Sequence, residues 1–169
     1  DLNSDGTPTP GHTDEVDYRN TVPVVDLDTV VDAGPTSDYS TTFVSVGTPI
    51  TITDAGAATD IDTPDIDELT LTIDGLEDGA AEVLTIAGEA FPLNANKTVT
   101  SAGFDIAYDA GTGVVTITES GDDGQMANAD LTSLLQGITY ENTSLDRTVG
   151  DRTITVVAND GISDSTSVT

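Results

Sequence analysis

The chain of 169 residues has no cysteine and no tryptophan, one histidine, one methionine and only four basic side chains. Each shortage removes a class of chemistry. Without cysteine there is no disulfide framework, no thiolate metal site and no thiol nucleophile. The absence fits either a reducing interior or an exterior protein that stabilises itself with metal in place of disulfides. His12 stands alone, so a zinc site and a serine–histidine–aspartate arrangement both lack parts. Aromatic residues make up 4% of the chain. Paired carboxylates for glycoside hydrolysis could be drawn from this sequence, but not the aromatic walls such clefts use. We therefore expect a protein that is not an enzyme. No stretch approaches the ~18 apolar residues of a membrane-crossing helix, so no membrane insertion is expected.

Acid is present in excess. The chain carries 24 Asp and 7 Glu, and its formal net charge is -27. Nucleic acids and anionic membranes repel such a surface, and neither is an expected partner. Asp rather than Glu dominates, and Asp favours turns, caps and hard-cation sites over helices. Self-repulsion on this scale costs stability, which a divalent cation or high salt would offset. Hydrophobic residues still reach 36% and fall in short regular runs, which separates the chain from a disordered acidic one.

The order of those runs predicts an all-β fold. Residues 1–19 are polar and contain Pro and Gly, and read as an acidic linker. Residues 20–169 read as one β-sandwich domain. Strands are expected at 22–25, 39–46, 50–53, 69–73, 83–86, 138–140 and 152–158. The strongest hairpin joins 104–108 to 114–118 across a Gly-containing turn. One short helical segment of at most two turns is expected over 128–136. Asn128 or Asp130 would cap it, Leu131, Leu134 and Leu135 would share its inner face, and Gly137 would stop it. The segment from Gly75 to Gly103 is longer than a sandwich hairpin needs and reads as an added feature.

Three places carry candidate chemistry. Asp1, Asn3 and Asp5, followed by Gly6, set oxygens at alternate positions before a sharp turn, as a calcium loop begins. The twelfth position, where an EF-hand needs a bidentate Glu, holds His12, so the alternative of a solvated linker stays open. The loop from Asp54 through Asp60, Asp62, Asp65 and Asp67 packs five carboxylates between two strands. They would repel if folded together without a cation, and an all-oxygen set suits calcium. A solvated loop is the plain alternative. Asn159-Asp160-Gly161 is a strong turn signal, and Asp160 can be turn residue and ligand at once.

Taken in order, several motifs resemble the cadherin repeat. Leu145-Asp146-Arg147-Thr148 precedes a strand ending Ala158-Asn159-Asp160-Gly161. Asp60-Ile61-Asp62 is similar to the cadherin Asp-x-Asp pair. Asp17 to Pro23 is similar to the inter-repeat linker. More closely, Asn20-Thr21-Val22-Pro23-Val24, the Ala129-Asp130-Leu131 turn before Ile138-Thr139-Tyr140, and Arg152-Thr153-Ile154-Thr155-Val156 resemble the cadherin-like repeats of giant bacterial RTX-type adhesins. The resemblance covers about 150 residues, from Asn20 onward. It implies a seven-stranded Ig-like sandwich repeated in tandem outside the cell. Calcium at the junctions would stiffen the array as a spacer in adhesion and biofilm formation. It adds Asp17, Asn20 and Asp146 to the expected ligands. Thr148 stands where cadherins place Glu, and Val44 and Val46 fall near an expected acid, which implies one or two ions per junction. The alternative is a binding module for a carbohydrate, a peptide or another copy of itself. The expected partners are neighbouring repeats of the same polypeptide. Asp1 at the start and Ser167-Val168-Thr169 at the end lead us to expect a piece of a longer chain.

Overall fold

The computed structural model describes residues 20–28, 38–43, 48–61, 65–121 and 124–169. The described residues form β1 (Val24–Asp26), β2 (Ile50–Thr51), β3 (Ala57–Thr59), β4 (Asp65–Ile66), β5 (Glu68–Asp74), β6 (Glu82–Ile86), β7 (Glu89–Pro92), β8 (Lys97–Ser101), β9 (Phe104–Asp109), β10 (Val114–Glu119), β11 (Met126–Ala127), β12 (Thr139–Asn142) and β13 (Thr153–Asn159). A 3-10 turn at Gly79–Ala81 precedes β6, and helix α1 (Asn128–Gly137) links β11 to β12. Two principal sheets result, ordered β13-β5-β10-β9-β8 and β2-β12-β6-β7, with the small pairs β1-β3 and β11-β4 beside them. Every pairing is antiparallel. The fold is all-β and sandwich-like.

Alternation explains the layering. In β5, Leu69, Leu71 and Ile73 turn inward between Thr70 and Thr72, and all three are buried. Ile106 of β9, Val115 and Ile117 of β10 and Val156 of β13 share that core with Leu84, Ile86 and Phe91 of the other sheet. Each such side chain removed from water contributes about 1.5–3 kcal/mol before entropy is counted. The β9–β10 hairpin pairs Asp109 with Val114, and Gly113 at φ 72° closes it. A Cβ there would lie 2.5 Å from the Ile73 carbonyl oxygen, so only glycine lets β10 sit beside β5.

Among the described residues nine strands fill the two principal sheets, against the seven or so that the resemblance implies. The surplus is β7 and β8, both from the segment read as an added feature, while β6 matches the strand expected at 83–86. Gly75–Gly103 contains β6, β7 and β8 and so contributes to both sheets. Its hairpins turn on Ala87-Gly88 and Ala102-Gly103, with both alanines left-handed at φ 52°. Alanine is not a usual residue for such turns, which is why the sequence pattern hid them.

The helix is also longer than expected. Its ten residues make nearly three turns. No side chain caps its start; Ala127 occupies the cap position, and Asn128 bonds elsewhere. Leu131, Leu134 and Leu135 are buried as expected. Thr132 Oγ1 accepts the Ala58 amide at 3.2 Å and lies 3.3 Å from the Ala58 carbonyl oxygen, so α1 covers the edge of β3 that β1 leaves open. Of the expected strand 39–46, residues 39–43 are not in a strand, and the rest lie outside the described residues.

Candidate functional site

Strand register decides which acids can meet. Glu68 pairs with Asn159, and Val24 pairs with Thr59. Asp67 and Asp160 therefore leave the β5–β13 pair at the same end, as Asn20 and Asp60 do at β1–β3. Side-chain bonds join the two pairs. Asn20 Nδ2 donates to Asp160 Oδ2 at 2.9 Å and to Ser163 Oγ at 2.5 Å. Thr21 Oγ1 lies 3.5 Å from Asp60 Oδ1. Both carboxylates are withdrawn from water, with Asp60 8% and Asp160 7% exposed.

Asp160 is held as an anion. Burial pushes its pKa up. The Ser163 amide, Asn20 and the Ile162 amide outweigh that and leave it below the usual carboxylate range. The two amides reach Asp160 Oδ1 at 2.7 and 2.8 Å. The Asp67 carboxylate lies directly against Gly161, in the space a Cβ would need, and accepts from Gln125 Nε2 at 3.2 Å. Gly161 is required twice, by that contact and by its left-handed φ of 85°. Asn128 Nδ2 donates to the Asp60 carbonyl at 3.1 Å, while its Oδ1 is buried with no hydrogen-bond partner.

The remaining candidates are distributed differently. Asp65 lies in β4, paired with Ala127. Asp54 is exposed ahead of β3, with its amide bonded to Leu27, so β3 separates it from Asp60. Asp146 is exposed in the loop after β12. That loop closes on Arg152 at the far end of β13, on the order of 20 Å from Asp160. Asp146 and Asp160 therefore do not share a site. Asp1, Asn3, Asp5, Asp17 and Asp62 lie outside the described residues. Sequence reading passed over Thr21, Gln125, Asn128 and Ser163. Only Asn128 carries a signal in the sequence, that of a helix cap.

The donors gathered here are oxygens, which suit a hard cation such as calcium and not a soft one. The buried Asn128 oxygen is the kind of group a cation would satisfy. Among the described residues, no three carboxylates or imidazoles stand close enough to enclose an ion by themselves. Asn20, Asp60, Asp67 and Asp160 thus bring side-chain oxygens to one end of the sandwich.

The opposite end is built differently. Glu82, fully buried, accepts Arg152 Nε at 2.6 Å and the Tyr140 hydroxyl at 2.8 Å on one oxygen. The Glu77 and Asp78 amides reach the other at 2.8 and 2.7 Å. Asp78 accepts Asn142 Nδ2 at 2.7 Å and the Thr148 hydroxyl at 2.8 Å, and lies 3.4 Å from Arg152. Burial raises the pKa of Glu82, but Arg152 and the other donors bring it below its usual value. Burial, with the Glu82 bond, drives Tyr140 well above the usual tyrosine range. This network is closed on itself and ties β6, β12 and the 143–152 loop together. The chain matches no family model, and neither a curated protein nor a solved structure is similar to it.

Proposed function

We propose that the chain is a calcium-binding, extracellular, non-enzymatic module of a bacterial surface adhesin, acting as a rigid spacer between neighbouring repeats. The carrying observation is the meeting of Asn20, Asp60, Asp67 and Asp160 at one end of the sandwich, with Asp60 and Asp160 both buried. Burying two carboxylates in a chain of net charge -27 is costly unless donors or a cation balance them. Calcium bound there would supply the balancing charge. Asp60 and Asp160 would contribute carboxylate oxygens to it, Asn20 would orient Asp160, and Asp62 and the 1–19 segment are the natural sources of further oxygens. Exposed aliphatic side chains also favour end-to-end stacking. Ile61 and Ile162 flank this end at 91% and 75% exposed, while Leu145 and Val149 mark the other at 93% and 98%.

A thermal melt in calcium and in chelator tests this. Binding only the folded state at a hundredfold excess over Kd adds about 2.7 kcal/mol. For a domain of this size that is a Tm shift of roughly 5–10 °C. Sodium at equal ionic strength should not reproduce it. Changing Asp60 and Asp62 to Asn should remove most of the response, and Asp146→Asn should leave it intact. An unchanged Tm in chelator, or a full response in the double variant, refutes the assignment.

A further inference from the structure

A cavity of about 470 Å³ opens beside α1, between the Ala87-Gly88 and Ala102-Gly103 turns. It uses none of the residues proposed to hold calcium. The Ser101 hydroxyl donates to the Ala87 carbonyl at 3.1 Å and fixes the two turns against each other. The floor is apolar: Phe104, Met126 and Leu134 line it and are buried. Its two charged lining residues among the described residues are Glu119 and Asp130, both acidic.

The third glycine in the wall is the informative one. Gly88 and Gly103 have left-handed φ values, which account for glycine there. Gly137 does not, and a Cβ at Gly137 would meet nothing within 4 Å. Neither backbone nor packing demands glycine at the end of α1, where it gives up helix stability. Its effect is to leave the cavity open.

We infer that this cavity receives a lysine side chain of a partner protein. An apolar floor under an acidic rim fits an aliphatic stem that ends in a cation. Among the described residues, the chain's own bases are engaged elsewhere. Lys97 is held by Glu89 and the Ala90 carbonyl, Arg152 by Glu82, and Arg147 lies over the Phe43 ring. The charge complementarity also disfavours a second copy of this chain, with its four basic residues.

The experiment is an NMR titration of the calcium-saturated chain with Nα-acetyl-lysine methylamide. The Nζ-acetylated and norleucine counterparts serve as neutral controls. The expected result is saturating shifts at the amides of Gly88, Gly103, Ser133 and Gly137, with a Kd on the order of 1 mM. The neutral probes should bind at least tenfold more weakly. Gly137→Leu should abolish the shifts while keeping the parent Tm. Asp130→Asn, an exposed change that leaves the core untouched, should weaken binding several-fold. No saturating shift at these amides, equal binding of the neutral probes, or parental binding by Asp130→Asn would overturn the inference.

Discussion

Replacing Glu82 with glutamine removes one charge and almost no volume. The structure makes it a severe change. One Glu82 oxygen accepts from Arg152 and Tyr140, and the other from two backbone amides. A glutamine must turn its NH₂ toward one of those pairs. In either orientation a donor then faces donors, and the Arg152 guanidinium, whose side chain is 10% exposed, loses its carboxylate at Glu82. Breaking a buried pair from one side costs about 3–5 kcal/mol. For a chain of this length the melting temperature should fall by roughly 6–20 °C. The pH dependence supplies a second check. The folded pKa of Glu82 lies below its ordinary 4.5. Its stabilisation is therefore complete above pH 4.5 and is lost as pH falls below that value through the folded pKa. Urea melts of parent and variant at several pH values measure the difference, which removes the effect of the other acids. The stability gap should be constant at neutral pH and shrink below pH 4.5. A gap under about 1 kcal/mol at pH 7, the net worth of a single ordinary hydrogen bond, would refute the buried-network argument. So would a gap that ignores acid.

Other changes test other parts of the fold. Tyr140→Phe removes one donor from the same oxygen and should cost about 1 kcal/mol in a urea melt. Leu135→Ala deletes a fully buried helix contact and should cost about 2–5 kcal/mol by the same assay. Gly113→Ala should cost more than about 1 kcal/mol, because φ is 72° and the Ile73 carbonyl fills the space. Sodium chloride should raise the melting temperature of the metal-free chain, since screening relieves repulsion at net charge -27. A flat response would mean that the charges are already balanced within the fold.

Period-two runs made most of the strands legible. Leu69-Thr70-Leu71-Thr72-Ile73 could bury one face only as a strand, and the 104–118 hairpin carried its own turn. The β6–β7 and β8–β9 hairpins were hidden because left-handed alanines do the work that Asn or Asp usually announces. The ends of α1 followed tertiary bonds, with Asn128 drawn to Asp60 instead of capping. At the site, Asp60 and Asp160 were visible as acids beside strand ends. Their shared location is a matter of register between distant strands. For Asp146 no local pattern indicated that β13 would hold it away from Asp160. Gln125 and Ser163 left no trace in sequence, since ordinary polar residues acquire roles only through what folding brings to them.

The last described segment folds back along β13. Val156 and Val168 exchange bonds at 2.8 and 3.1 Å, Ser165 donates to the Ala158 carbonyl at 2.7 Å, and Thr169 accepts from Tyr39 at 2.9 Å. Asn20 is anchored beside Asp160 at one end of β13, while the segment runs from Asp164 back toward the other. Tension applied between Asn20 and Thr169 therefore pulls along the strand axis. The crosswise bonds are loaded together in shear and do not open one after another from an end. Under load, the lifetime of the module is set by how fast that patch slides, a rate that equilibrium melting does not report. A construction of this kind resists being drawn out lengthwise far better than being peeled sideways.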